Sequence, residues 1–250
     1  AKVVFPNGEP MLLIEQFVEG VSKYPTALPY GVGEVSVEGF ESGGFVQIIA
    51  IHDKPLPTNG PYFEEVCWST PSRLPQHIIT DLHRQTKLVV RGLQIKDSFF
   101  HIEFRIAENR NVLLEAAARM GGGPIYRSVL ESQGINMLEI MTSIATRQPI
   151  HLEERPVNQG TPILTIGLFA DAGVLASIQG LQEVETMKGV VELVQYDPIG
   201  TFINRAPTST HCTLHIMIRG SSFDEAEKIA IECINRIKFE TIINRRAWLL

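Results

Sequence analysis

Glu103, Glu115, Arg105, Arg119 and a run of glycines are gathered within residues 101–123 of this chain. In His101-Ile-Glu-Phe-Arg105 the polar residues alternate with Ile102, Phe104 and Ile106, so a strand would put His101, Glu103 and Arg105 on one face. Residues 111–117 alternate likewise, with Asn111, Leu113 and Glu115 opposite Val112, Leu114 and Ala116. Two such strands side by side aim Glu103 and Glu115 at one point. Paired hard oxygen ligands from neighbouring strands suit magnesium, which fills its other octahedral positions with water and nucleotide phosphate oxygens. The same alternation also describes two solvated carboxylates on the open face of an antiparallel sheet. Arg119 followed by Met120-Gly-Gly-Gly123 favours the anion-binding reading, because glycines add nothing to a core and leave backbone amides exposed beside a cation.

Around this segment, residues 35–41 and 45–51 read as strands joined by Ser42-Gly43-Gly44 in a hairpin. Lys54-Pro-Leu-Pro-Thr-Asn-Gly-Pro61 reads as an irregular stretch leading to residues 62–68, a strand end and binding loop. Ile78, Ile79, Leu82, Val89 and Leu93 recur at helical spacing, and two further helices are expected over Ile125–Gln133 and Met137–Thr146. Past Arg155-Pro156 the rhythm becomes strand, helix, strand, strand, helix over residues 163–170, 172–181, 190–195, 210–219 and 222–238. The last helix is the clearest, since Ser222-Phe-Asp-Glu225 is a capping box and Ala226, Ile229, Ala230, Cys233, Ile234 and Ile237 form one stripe. Cys233 is therefore expected in a core.

The expected fold class is α+β: an antiparallel sheet with helices over residues 1–153, then a smaller α/β unit over residues 154–250. A hydrophobic share of 44% and a charged share of 20% over 250 residues are those of a folded protein. The net charge of -6 argues against a nucleic-acid partner, so an anionic substrate would need local cations or a metal. No apolar run approaches the ~20 residues that span a bilayer, which argues against membrane insertion. Cys67, Cys212 and Cys233 show neither a complete disulfide set nor metal spacing, and a reducing cytoplasm fits them. A zinc site at His211-Cys-Thr-Leu-His215 is disfavoured because strand alternation sends Cys212 to the face opposite the histidines. Ser72 near His77 and Asp81 lacks a nucleophile elbow and reads as a capping serine.

The order of these features resembles the carboxy-terminal half of an ATP-grasp carboxylate–amine ligase, most closely the bacterial L-amino acid ligases that join amino acids into dipeptides. Leu13-Ile-Glu-Gln-Phe-Val-Glu-Gly20 is similar to the family's adenine-binding linker and Glu34-Val-Ser-Val-Glu-Gly-Phe40 to its ribose-binding strand. Gly60-Pro-Tyr-Phe-Glu-Glu65 is similar to its substrate loop, and residues 101–123 to its metal and phosphate core. The likeness covers about residues 12–150, and the unit after it resembles the extra carboxy-terminal domain of those ligases more weakly.

The resemblance implies ATP and magnesium, or manganese, as cofactors. It places Glu15 at the adenine amino group, the backbone of Gln16, Phe17 and Val18 on the adenine edge, and Glu34 on the ribose. It makes Glu103 and Glu115 the metal ligands, sets Arg119 and Gly122 at the acyl phosphate, and gives Glu65, Trp68 and Gly123 to the amino acid substrate. The implied reaction is attack of a carboxylate on the γ-phosphate of ATP, giving an acyl phosphate that an amine captures as an amide. Amino acid substrates, a cytoplasmic setting and a homodimer follow from the same likeness. This chain departs from the family pattern at Ala117, where asparagine is common, and at Glu65-Val-Cys-Trp68, where the amino acid ligases often carry Glu-x-x-His. The family's amino-terminal domain and lid would have to precede Ala1. The competing expectations are a non-catalytic oligomerisation or partner-binding module, and an ATP-grasp enzyme of carboxylase or purine-pathway type.

Overall fold

The computed structural model describes residues 3–4, 10–11, 15–21, 32–55, 64–152, 156–205, 209 and 211–242. The start of the adenine-linker motif (13–14) and of the substrate loop (60–63) lies outside them. A two-residue pair, β1 (Val3–Val4) and β2 (Pro10–Met11), precedes β3 (Val32–Ser42), β4 (Phe45–Pro55), β5 (Cys67–Thr70), α1 (Gln76–Gly92), β6 (Ser98–Ile106), β7 (Asn111–Ala117), α2 (Ile125–Gln133) and α3 (Met137–Thr146). Then follow β8 (Ile163–Leu168), β9 (Gly173–Gln179), α4 (Leu181–Glu185), β10 (Val190–Gln195), β11 (Phe202–Ile203), β12 (Leu214–Arg219), α5 (Phe223–Arg236) and β13 (Lys238–Ile242).

Eight strands form one antiparallel sheet in the order β10-β12-β8-β5-β4-β3-β6-β7, and β11, β9 and β13 form a smaller one. The fold is thus α+β, with antiparallel pairing through residues 163–242 as well. β3 and β4 close over Gly43 and Gly44, whose φ values of 58° and 90° are those a two-residue hairpin turn requires. At Gly39 a Cβ would lie 2.2 Å from the Gln47 carbonyl oxygen and 2.4 Å from the Phe100 ring, so only glycine lets that ring cross β3.

Alternation then sorts the central strands. Val35, Val37, Ile51, Ile102, Phe104 and Ile106 face α1, where Ile78, Ile79, Leu82 and Val90 close the core. On the other face, Phe40, Ile49, Ala50 and Phe99 pack under α2 and α3 at one end. The rest of that face carries Glu34, Glu38, His52, Lys54, His101, Glu103 and Arg105, and it opens towards the site. A third core joins β8, β12 and α5 around Leu164, Ile216, Ala226 and Cys233.

Three local expectations fail. Lys54 lies within strand β4 and does not begin a loop, because Pro55 is tolerated as the last residue of a strand. Residues 172–181 are not a helix: Gly173 and Gly180 take φ values of 140° and 83°, and β9 between them pairs with β11 and β13. Ser72 is not the helix cap, a position held by Pro75; its hydroxyl donates to Asp53 Oδ1 at 2.6 Å and accepts from the Leu74 amide. Ser222 does cap α5, accepting from the Glu225 amide at 3.2 Å. No described helix is long and apolar enough to cross a membrane.

Candidate active site

β6 and β7 meet with Glu103 and Glu115 directly opposite each other, so both carboxylates leave the same face of the sheet. The next pair is Phe104 with Leu113, which makes Leu114 the extra residue of a bulge. The bulge corrects the expected alternation of β7. Asn111 and Leu113 lie on the α1 face, where Asn111 Nδ2 donates to Asp81 at 2.8 Å, while Glu115 keeps the site face.

Lys54 stands at the centre of the charged face. The residue is 4% exposed, and its ammonium donates to Glu103 and Glu65 and lies 3.8 Å from Glu34. Burial opposes its charge, yet Glu65, Glu103 and Glu34 hold the ammonium well above the ordinary lysine range. Glu34 also meets Arg105 at 3.0 Å; burial, its largest influence, still pushes that carboxyl up. Behind Glu103 runs a buried chain in which His101 Nε2 meets Glu103 at 3.1 Å and Nδ1 meets Glu38 at 2.8 Å. Glu38 in turn lies 3.8 Å from His52, whose Nε2 meets Ser128 Oγ at 2.7 Å.

Burial works against the His101 cation, but its bonds to Glu103 and Glu38 outweigh it and raise the imidazole to about 9. Glu103, raised by burial, is brought down to about 2 by His101 and Lys54. His52, with burial dominant, falls to about 4 and is neutral at physiological pH. A histidine whose folded pKa is raised contributes stability that is complete below its unfolded value of about 6.5 and lost as pH rises through about 9. Urea denaturation is therefore expected to show stability falling from pH 6.5 to 9.5, by on the order of 3 kcal/mol at most, with the fall abolished in His101→Gln. A profile with the same slope in His101→Gln would place the titrating group elsewhere.

Two cavities adjoin at Lys54, Glu65 and Glu103. One, of about 240 Å³, adds Glu34, Glu64 and Arg105. The other, of about 350 Å³, adds Glu115, Arg119, Gly122, Gly123 and Trp68. The structure thus brings together Glu34, Glu65, Trp68, Glu103, Glu115, Arg119, Gly122 and Gly123. Glu15, Gln16, Phe17 and Val18 form an irregular segment outside the lining of both cavities, tied to β6 by the Val21 amide on the Ile106 carbonyl at 2.7 Å.

Glu103 and Glu115 fit a divalent ion: both are hard donors on one face, and Glu115, 60% exposed, has Arg119 no closer than 3.9 Å. Carboxylate oxygens of Glu34, Glu65 and Glu103 also lie within 4.8 Å of one another, gathered around the Lys54 ammonium. Lys54, Glu38, His52 and His101 escaped the sequence reading as a connected unit. The alternation His52, Lys54 continued β4 by three residues and was the one local signal for Lys54.

Residues 7–127 match the family model of the ATP-grasp domain, and residues 167–241 match that of the L-amino acid ligase C-terminal domain 2. A comparison with curated proteins gives no significant match. Among solved structures, the chain is similar to L-amino acid ligase from Bacillus licheniformis, with a TM-score of 0.76 and 22% identity over 84% of this chain and 52% of that one. It is also similar to phosphoribosylglycinamide synthetase from Anaerococcus prevotii, with a TM-score of 0.73 and 16% identity over 91% and 55%. N5-carboxyaminoimidazole ribonucleotide synthetase from Thermotoga maritima follows, with a TM-score of 0.65 and 15% identity over 91% and 55%. The chain spans about half the length of these structures.

Proposed function

Because this chain belongs to the ATP-grasp family of ligases, we propose that its charged face binds ATP with magnesium and joins a carboxylate to an amine, amino acids being the substrates. The observation that carries the reading is the Glu103–Glu115 pair facing Arg119 and the glycine turn across one cavity. Glu103 and Glu115 would hold the metal, which would offset negative charge on the nucleotide phosphates. Arg119, with the Gly122 and Gly123 backbone beside it, neutralises charge on the carboxylate and on the acyl phosphate formed from it. Glu34, whose carboxylate meets Arg105 and lies near Lys54, would hold the ribose, and Glu15 to Val18 would read the adenine. The L-amino acid ligase C-terminal domain 2 match supports the substrate class, and the division near residue 154, a cytoplasmic setting and a homodimer belong to the same proposal.

Glu65 faces Lys54 on one side and solvent on the other, which suits an incoming ammonium. Trp68 packs partly against the core under α2 and lines the cavity with the rest of its ring, so it serves both packing and the substrate wall. Trp68→Ala is expected to change the relative kcat/KM over a panel of amino acids by about tenfold or more for bulky side chains. An unaltered profile would leave Trp68 with packing alone.

The test of the reading is phosphate release by the intact protein with ATP and pairs of amino acids. Release that depends on amino acids supports it. Release that depends on bicarbonate alone, or ATP binding without release for any pair, assigns the chain to another substrate or to a non-catalytic role.

A further inference from the structure

The carboxy-terminal unit closes a third, larger cavity onto the site. Its volume is about 660 Å³, with Glu65, Trp68 and Gly123 on one side and Tyr196, His211 and Cys212 on the other. The first three also line the cavity that holds Glu103, Glu115 and Arg119, so the two spaces are continuous. The sequence expectation for Cys212 fails here: β12 begins at Leu214, and in the irregular residues before it His211 and Cys212 face the same space.

His211 is built as an oriented imidazole. The Tyr196 and Asp197 amides both donate to the Thr213 carbonyl, at 2.9 and 3.4 Å, which staples residues 196–197 against the segment that carries His211. Asp197, buried, then reaches His211 Nε2 at 3.3 Å. The Tyr196 ring stands edge-on to the imidazole at 6.2 Å, and its hydroxyl is held by His215 Nδ1 at 2.6 Å, with Glu192 on the far nitrogen of His215 at 3.3 Å. With Nε2–H donating to the carboxylate, Nδ1 is the acceptor, and Ser209 Oγ at 3.4 Å is too distant to occupy it firmly.

An amine substrate arrives as an ammonium ion and cannot attack until it loses a proton. Among the described residues that line this cavity, Glu65 is engaged by Lys54, and burial pushes the Cys212 thiol up to about 11, where it stays protonated. Tyr196 holds its proton in the bond with His215. We propose that His211, oriented by Asp197, is the general base that deprotonates the amine substrate as it attacks the acyl phosphate. The inference rests on the ligase reading above. One ammonium proton passes to His211 Nδ1 and on to solvent. The freed lone pair forms the C–N bond, the bond from the acyl carbon to the phosphate oxygen breaks, and phosphate leaves with that electron pair and the second proton.

Hydroxylamine separates this role from a structural one, because it is a neutral nucleophile at neutral pH and needs no base to expose its lone pair. In the intact protein, His211→Gln is expected to lower amide formation with amino acid acceptors by about 100-fold or more, within the usual range of general base catalysis, while hydroxamate formation falls by less than about twofold. Asp197→Asn is expected to lower amide formation by a smaller factor with the same sparing of hydroxamate. Amide and hydroxamate falling together, or amide formation unchanged in His211→Gln, overturns the proposal. A wild-type protein that binds ATP yet forms neither product instead removes the ligase reading, and the base with it.

Discussion

Replacing Glu103 by glutamine in the intact protein is expected to lower ATP-dependent turnover by about 10²–10³-fold, the usual cost of removing one preorganised charge partner from a phosphoryl-transfer site. The glutamine keeps the volume and the strand. What it loses is the charge that Lys54 and His101 both hold, and the oxygen that faces Glu115 across the ladder. Glu115→Gln is expected to cost a similar factor in turnover, and the two variants separate on stability. Glu115 is 60% exposed, so its replacement should change unfolding free energy by no more than about 0.5 kcal/mol. Glu103→Gln should cost about 1–3 kcal/mol, since it weakens a hydrogen-bonded charge within the buried chain. Turnover unchanged in both variants would move the metal and phosphate site away from β6 and β7.

The second large effect is on Lys54. Lys54→Met should destabilise the fold by about 3–5 kcal/mol in urea denaturation, because it removes one partner of a buried ion group and leaves the others facing each other. Glu34 would keep Arg105 and Glu103 would keep His101, but no cation would stand between them. The double variant Lys54→Met with Glu103→Gln should be less destabilised than the sum of the two, by about 1–3 kcal/mol, as expected for residues in direct contact. Lowering the pH should narrow the gap between Lys54→Met and wild type. The wild-type Glu103, held at about 2, keeps its contribution until strong acid, whereas carboxylates left without the lysine protonate earlier and cease to repel. Additive effects would show that Lys54 acts through something other than these carboxylates.

The parts of this site that were legible in the sequence are those written in short-range pattern. Alternation placed His101, Glu103 and Arg105 on one face, and caps and periodicity gave α2, α3 and α5 close to their observed bounds. What failed was set by partners far along the chain. Residues 172–181 space Val174, Ile178 and Leu181 as a helix would, and only pairing with β13, some sixty residues later, makes them a strand. The bulge at Leu114 and the reach of β4 to Lys54 are likewise fixed by neighbouring strands. The Glu38, His52 and His101 chain joins three strands, so no local window contains it.

The most direct measurement of the central claim follows an oxygen atom. With an amino acid carrying ¹⁸O in its carboxylate, the intact protein should transfer one labelled oxygen to each phosphate released, because the carboxylate oxygen that attacks the γ-phosphate of ATP departs with it when the amine forms the amide. Amide formation accompanied by unlabelled phosphate would contradict an acyl phosphate at this site.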